Sequence, residues 1–333
     1  MKKRILFLLA VVMAVVCFCL VGCIDEPIKT RDKIVLNEVT HSIFYAPQYL
    51  AIALKYFEEE NIEITLVNGG GADKSMTALI TGEADIGLMG PEAAIYVYLE
   101  GKVDHAVVFG QLTKRDGSFL VGRNEEKGFD YSNLAGKHII MGRKGGVPAM
   151  TLQYVLNKHG YTDGVNITMD YSVQFNMLAP AFSSGTGDYV PLFEPTASTI
   201  VKQGKGFIVS SIGAESGEVP YTAYMATKSY VTKNAVKLER FLRAVNKATT
   251  YLNNNDNEKI AELLMPFFDG TSKAEIVATL ISYKANDTWM KTPSMTKDSF
   301  ERLQDIMQNA NELPKRSPFE KVVDNSIANK IAG

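Results

Sequence analysis

Strand-like and helix-like hydrophobic patterns alternate from residue 33 to residue 112 of the chain. Short apolar runs predict strands, and apolar residues at helical spacing, two groups of them preceded by a proline, predict the helices between them. The strands are predicted at 33–38, 62–67, 86–89 and 106–112. This order is typical of an α/β layer with mostly parallel strands.

A second alternation of the same kind follows. An apolar run at 118–123 precedes it, and the strands predicted in it are 137–141, 167–171, 189–193, 207–210 and a returning strand at 221–226. From residue 229 onward only helical patterns remain, so this part is expected to cover an existing sheet rather than form a third one. We therefore predict an α/β fold of two lobes, with residues 33–122 and 223–333 in lobe 1 and residues 123–222 in lobe 2.

The segment 69–94 combines a glycine-rich turn, a helix, a short strand and the start of another helix. Glycines between a strand and a helix allow a bound molecule to approach the backbone, and the free N–H groups of the helix favour a polar or anionic group there. Two consecutive strand ends thus place their loops at one edge of a sheet, where α/β proteins bind ligands. The alternative is that the glycines only form turns.

The N-terminus has the pattern of an export signal. A short basic segment, residues 2–4, precedes an uncharged apolar stretch, and Leu20-Val21-Gly22-Cys23 resembles the lipobox of bacterial lipoproteins. We expect residues 1–22 to be removed, Cys23 to be lipidated and residues 23–32 to form a short tether. An uncleaved membrane anchor is the alternative.

Charge and composition argue against several partners and chemistries. Without the three basic residues of the signal, 32 basic residues face 37 acidic ones, a net charge of −5 that disfavours nucleic acid. Cys17 and Cys19 lie in the segment expected to be removed, so no disulfide is expected in the mature protein. The four histidines lack metal-ligand spacing, and the segment 69–75 lacks the gap of a phosphate-binding loop. We expect no metal, no cofactor and no enzymatic activity. A secreted enzyme of the same fold is the alternative of a different class.

Several short motifs in order resemble a known family. They are the lipobox, the segment 56–64, the glycine turn 69–73, the phrase 79–87, the strand 134–140 and the segment Leu192-Phe193-Glu194-Pro195. Together they resemble the solute-binding lipoproteins of ABC importers, in the family of nitrate, sulfonate and taurine binders and of thiamine-pyrimidine-precursor binders. The resemblance covers roughly residues 33–260. It implies the type II periplasmic-binding-protein fold, with a ligand between two lobes that close by hinge motion.

The resemblance also implies a set of binding residues and two hinge segments. The hinge candidates are 117–122 and 221–226. The binding residues implied are His41, Phe44, Tyr45, Gly70, Gly71, Ala72, Met89 and Gly90 in the first lobe, and Gly145, Gly146, Val147, Phe175, Asn176 and Glu194 in the second.

The charge of the ligand stays open at this point. Phe44 and Tyr45 offer flat faces to a planar ligand, and Glu194 either accepts from a ligand amine or caps a neighbouring helix. Arg143 and Lys144 adjoin a helix start and favour an anion if they face the cleft.

The interpretation we favour is an extracytoplasmic, lipid-anchored, monomeric binding protein that delivers an aromatic or heterocyclic nutrient, such as a thiamine pyrimidine precursor, to a permease and its ATPase. An alkanesulfonate, taurine or a similar small anion is the alternative ligand.

Overall fold

The computed structural model describes residues 30–331. The predicted signal 1–22, the predicted lipidation site Cys23 and most of the predicted tether lie outside the described residues. The strands are β1 (Asp32–Glu38), β2 (Ile62–Asn68), β3 (Ile86–Met89), β4 (Ala106–Thr113), β5 (Ser118–Gly122), β6 (His138–Ile140), β7 (Thr168–Asp170), β8 (Tyr189–Phe193), β9 (Phe207–Ser211) and β10 (Thr222–Thr227).

The α-helices of the same part of the chain are α1 (Ala46–Ala53), α2 (Tyr56–Glu59), α3 (Ala72–Thr81), α4 (Glu92–Leu99), α5 (Val147–Lys158), α6 (Leu178–Ser183), α7 (Thr196–Lys202), α8 (Ile212–Ser216), α9 (Lys228–Lys233), α10 (Ala235–Asn254), α11 (Asn257–Leu264), α12 (Lys273–Ala285), α13 (Lys297–Asn309), α14 (Phe319–Val322) and α15 (Ala328–Ile331). Each strand predicted from the hydrophobic pattern is present within one or two residues of its predicted bounds.

The two five-stranded sheets have the same topology, because corresponding strands of the two lobes occupy the same places in them. The first runs β2-β1-β3-β10-β4 and the second β7-β6-β8-β5-β9. In both, the first three strands are parallel, and the antiparallel strand, β10 or β5, is the one that has crossed over from the other lobe. The carboxyl ends of the parallel strands therefore meet at one edge of each sheet, and the loops at these edges form the site. The predicted two α/β lobes, each with a mixed, mostly parallel sheet, are confirmed.

The crossover lies earlier in the chain than the pattern suggested. Residues 118–122, which we assigned to lobe 1, form β5 and pair with β8 and β9 of the second sheet. The chain therefore leaves the first sheet through residues 114–117, between β4 and β5, and returns before β10. The hydrophobic pattern could not show this, because an apolar strand has the same pattern in either sheet.

The C-terminal helices cover the first sheet and also reach the second lobe. Helix α10 places Leu238, Phe241 and Leu242 in the core, and Leu242 lies where a side chain at Gly110 would be, since a Cβ there would be 2.6 Å from it. Helix α13 packs on α5, where the Asn157 amide donates to Asn309 over 2.9 Å. Residues after β10 therefore do not belong to lobe 1 alone.

The described residues include no helix that is both long and apolar enough to cross a membrane.

Candidate functional site

A cleft between the two lobes has an empty volume of about 650 Å³, including the part that opens to solvent. Its walls come from both sheet edges and from the segment before β10. The lining residues are Val39, Thr40, Tyr45, Gly70, Gly71, Ala72, Asp73, Gly90 and Glu92 from the first lobe, Met141, Gly142, Arg143, Gly146, Val147, Pro148, Ala149, Gln174, Phe175 and Phe193 from the second, and Tyr221 and Thr222 at the crossover.

Three helices begin at this cleft. The first turns of α3, α4 and α5 contribute Ala72, Glu92 and Val147 to its lining, and their free N–H groups make the space favourable for a hydrogen-bond acceptor or a negative charge. Helices α3 and α4 each carry an acidic residue in their own first turn, whereas α5 carries none. The start of α5 instead receives a carboxylate from the other lobe.

That carboxylate belongs to Glu92, whose exposed fraction is 1 %. Its Oε1 accepts a hydrogen bond from the backbone N–H of Val147 over 3.3 Å, across the cleft. Its Oε2 has no hydrogen-bond partner among residues 30–331. Burial raises the pKa of Glu92 to about 7, although Arg143, Val147 and the amides at the start of α4 oppose the shift.

Room for the Glu92 carboxyl group depends on Gly90. A Cβ at that position would lie 2.0 Å from Oε2 of Glu92, so every other residue type would displace the carboxyl group. The pair Gly90-Pro91 thus ends β3, starts α4 and leaves the edge of the sheet open for Glu92.

The adjacent basic residues Arg143 and Lys144 point in different directions. Arg143 lines the cleft, and its Nε lies 3.7 Å from Oδ1 of Asp73 in the opposite lobe. Lys144 is 64 % exposed and lies 3.5 Å from Glu312, outside the lining. The cleft therefore holds one guanidinium group together with two carboxyl groups, Asp73 and Glu92, and has no surplus of positive side chains among the described residues.

Aromatic side chains form much of the remaining wall. Tyr45 and Tyr221 are buried at the base of the cleft, and Phe175 lies beside Phe193 with ring centroids 6.0 Å apart. Flat apolar faces of this kind favour a planar or apolar group in the ligand.

Eight of the binding residues expected from the sequence line the cleft: Tyr45, Gly70, Gly71, Ala72, Gly90, Gly146, Val147 and Phe175. They come from loops that the topology brings to one place. Gly70 has a φ of +70°, a conformation that glycine adopts without strain. Their contact with a ligand stays a prediction.

Phe44 and Met89 lie in the core instead. The Phe44 ring packs among Tyr221, Tyr283 and other aromatic rings, and it occupies the space beside Gly117, where a Cβ would be 2.2 Å from it. Met89 is fully buried in β3. Each is adjacent in the sequence to a residue that lines the cleft, Tyr45 or Gly90, but neither lines it.

His41, Gly145 and Asn176 are not among the residues that line the cleft. His41 lies between Glu38, 2.9 Å from its Nδ1, and the carbonyl of Phe267, 2.6 Å from its Nε2, and the Glu38 carboxylate raises the pKa of His41. The Gly145 carbonyl accepts from the Tyr96 hydroxyl across the lobes, and Asn176 is exposed next to Gly70.

The carboxyl group of Glu194 is hydrogen-bonded to the helix that follows it, α7. Its two carboxylate oxygens accept from the backbone N–H of Ser198 over 3.0 Å and from the Ser198 hydroxyl over 2.8 Å. The side chain is buried outside the lining, and burial raises the pKa of Glu194. Of the two roles considered for it, capping is the one that these contacts perform.

Glu92, Asp73, Phe193 and Tyr221 line the cleft and were not expected as binding residues. In the sequence, Glu92 stands out only as an acidic residue in the first turn of a predicted helix. Such residues commonly stabilise their own helix, so this position alone does not indicate ligand binding. Within residues 30–331, three or more His, Cys, Asp or Glu side chains are nowhere grouped so as to hold a metal ion.

A family model described as NMT1/THI5 like matches residues 43–259 of the chain. The chain belongs to this family. YtlA of Bacillus subtilis (strain 168), whose name presents it as a candidate binding protein, is 41 % identical over 314 residues, which are 94 % of this chain and 93 % of that protein.

Solved structures of the same fold include binding proteins. The alkanesulfonate-binding protein SsuA from Xanthomonas axonopodis pv. citri has a TM-score of 0.71 and 19 % identity, covering 88 % of this chain and 98 % of that one. The periplasmic nitrate-binding protein NrtA from Synechocystis PCC 6803 has a TM-score of 0.71 and 14 % identity, covering 91 % and 88 %. The desulfurization enzyme DszB, at a TM-score of 0.64 and 13 % identity over 91 % and 99 %, shares the fold too. The chain thus belongs to the NMT1/THI5-like family and has the fold of these periplasmic binding proteins.

Proposed function

We propose that the chain is the extracytoplasmic solute-binding component of an ABC importer, and that it captures a small planar heterocycle carrying an amino group, such as a thiamine pyrimidine precursor. In this proposal the protein acts as a monomer, is held at the membrane by a lipid on Cys23, and delivers the solute to a permease and its ATPase. Binding and closure suffice for this role, so no catalytic step is required.

The observation that carries the ligand class is the composition of the cleft wall. Tyr45, Phe175 and Phe193 offer apolar ring faces, while the polar groups include a buried carboxyl group, Glu92, at the start of helix α5. An anionic ligand would have to displace or share that helix start with Glu92 at a cost in repulsion. A planar molecule with N–H donors meets no such cost.

A small anion such as an alkanesulfonate is the second candidate, favoured by Arg143 and by the start of helix α3 in the lining. Against it stands the pairing of Arg143 with Asp73.

The test is a thermal-shift screen of the ligand-stripped mature protein with aminopyrimidines, alkanesulfonates, taurine and nitrate. A ligand that binds the native state raises the melting temperature, and at 100 times its Kd it adds about 2.7 kcal/mol of stability. We expect the shift with aminopyrimidines. A shift with sulfonates or nitrate alone would favour the second candidate, and turnover of a bound compound would favour an enzyme.

Mass spectrometry of small molecules released from the purified, denatured protein tests the same proposal without a chosen panel. Tyr45→Ala, in the lining, should weaken binding of the identified molecule by about tenfold or more, as expected for loss of an aromatic contact. Phe207→Ala, at an exposed aromatic residue of β9 outside the lining, is the control and should leave binding unchanged.

A further inference from the structure

We infer that Glu92 is the specificity-determining residue of the cleft, and that its Oε2 accepts a hydrogen bond from an N–H group of the solute in the closed arrangement of the lobes. This inference rests on the proposed function and names the group that recognises the amino nitrogen.

Glu92 is more deeply buried than any other charged side chain of the lining. Asp73 is 48 % exposed at its side chain and Arg143 is 29 % exposed, so water can reach both. Glu92 is 1 % exposed, and Oε2 is without a partner in the described part of the chain. A buried acceptor of this kind costs free energy unless a donor reaches it, so a ligand that supplies the donor gains more than a contact at the surface would give.

The other oxygen of Glu92, Oε1, holds the carboxyl group in position. Oε1 accepts from Val147 of the opposite lobe, and the absence of a side chain at Gly90 provides the space that the carboxyl group occupies. Since the Val147 contact exists only when the lobes meet, the carboxyl group is held in place for the solute by closure itself.

The charged and titratable groups around Glu92 agree with a donor in the ligand. Arg143 is the cation that favours the ionised form of Glu92, and the hydroxyl groups of Tyr45, Tyr96 and Tyr221 lie near it with their own pKa values raised by burial. These tyrosines therefore stay neutral around pH 7, so among these carboxyl and hydroxyl groups only Glu92 becomes negatively charged. Burial raises the pKa of Glu92 to about 7. An N–H donor of the ligand that hydrogen-bonds to the carboxylate would stabilise the ionised form and lower this pKa again.

The test uses pairs of probes in which only one member carries an N–H donor. 4-Amino-2-methylpyrimidine is compared with 2,4-dimethylpyrimidine, and taurine with ethanesulfonate, by calorimetric titration of the mature protein. We expect the wild-type protein to prefer the amino member of the pair it binds by roughly ten- to hundredfold, the usual worth of a hydrogen bond to a charged group. In Glu92→Gln this preference should fall to within a few-fold.

The control is Glu83→Gln, which makes the same substitution at an exposed residue outside the lining and should keep the preference. If Glu92→Gln keeps the full preference as well, the assignment of Glu92 is overturned while the proposed function stands. Preference for taurine over ethanesulfonate that depends on Glu92 supports the inference and replaces the proposed ligand class. Equal binding of both members of a pair by the wild type overturns the inference, and binding of none of the four probes rejects the proposed ligand classes and the inference with them.

Discussion

Two buried glutamates follow the corresponding strands of the two sheets and serve different purposes. β3 and β8 are each the central strand, parallel to the first strand of their sheet and antiparallel to the crossover strand. Both are followed by a proline that opens a helix. Glu194 precedes its proline, and both of its oxygens are taken by Ser198. Glu92 follows its proline, and one of its oxygens has no partner in the described chain.

A shift of two residues along the chain accounts for the difference. The position that corresponds to Glu194 in the first lobe is Gly90, and the missing side chain there leaves the space that the Glu92 carboxyl group fills. Glu194 therefore stabilises the helix that follows it within lobe 2. Glu92 instead reaches across to Val147 of the other lobe. Of these two buried acids at strand ends, only Glu92 keeps an oxygen without a partner in the described chain, and it is therefore the one that we assign to ligand binding.

The largest expected effect that separates the two glutamates is on stability at alkaline pH. Burial raises the pKa of Glu92 in the folded state to about 7, above its ordinary 4.5, so this residue costs no stability below about pH 4.5 and a growing amount as the pH rises to 7. Glu92→Gln removes that cost. At pH 8 the variant should be more stable than the wild type by up to about 3 kcal/mol, and at pH 4 the two should be nearly equal.

Urea unfolding of the ligand-free protein at both pH values measures this. Asp116, whose pKa burial also raises to about 7, makes the same contribution to both proteins, so it cancels in the difference. A difference that does not change with pH would show that Glu92 is not the buried acid described here.

The second expected effect concerns the Glu194 side of the comparison. Ser198→Ala removes the hydroxyl donor to Glu194 and leaves one oxygen of a buried carboxyl group unpaired, at a cost of about 1–2 kcal/mol in the free energy of unfolding. Thr199→Ala, which removes an exposed hydroxyl on the same helix, should cost less than about 0.5 kcal/mol. Neither change should alter which solute binds, and a change of specificity in Ser198→Ala would make Glu194 a binding residue after all.

The third effect is a shift in the titration of Glu92. Arg143 lowers the pKa of Glu92, so Arg143→Gln should raise by up to about one unit the pH at which the cost of Glu92 stops growing, while the onset of that cost near pH 4.5 stays unchanged. Lys144→Gln is the matched control, because Lys144 is exposed and paired with Glu312 outside the lining.

The measurement is urea unfolding across pH 4–9, with and without Glu92→Gln, in the wild type, in Arg143→Gln and in Lys144→Gln. In each background the stability difference produced by Glu92→Gln traces the titration of Glu92. Equal shifts in both basic variants would mean that net charge, not the position of Arg143, sets the titration.

The sequence sufficed for the fold because each sheet repeats a simple pattern. Apolar runs and helix-opening prolines located the strands, and the rule that parallel strands end at one edge located the glycine turns of the cleft. The crossover at 114–117 was missed, since the alternation is the same whichever sheet β5 joins.

The side chains of the site were harder to predict than its loops. The burial of Phe44 depends on the space that Gly117 leaves, and the burial of Glu92 depends on Gly90 and on a helix from the other lobe. Such contacts join residues far apart in the chain, and neither periodicity nor spacing carries information about them.

The smallest expected effect is that of Asp73, the other carboxyl group of the cleft. Its side chain is about half exposed and lies 3.7 Å from Arg143, so it resembles a surface ion pair more than it resembles Glu92. Asp73→Asn should change the free energy of unfolding by about 0.5 kcal/mol or less, and the change should shrink at high salt. Urea unfolding in dilute buffer and in about 1 M sodium chloride, with Glu92→Gln measured alongside, checks this. If Asp73→Asn matched Glu92→Gln in size and in salt resistance, exposure would not be what separates the two carboxyl groups, and the special role given to Glu92 would have to be shared with Asp73.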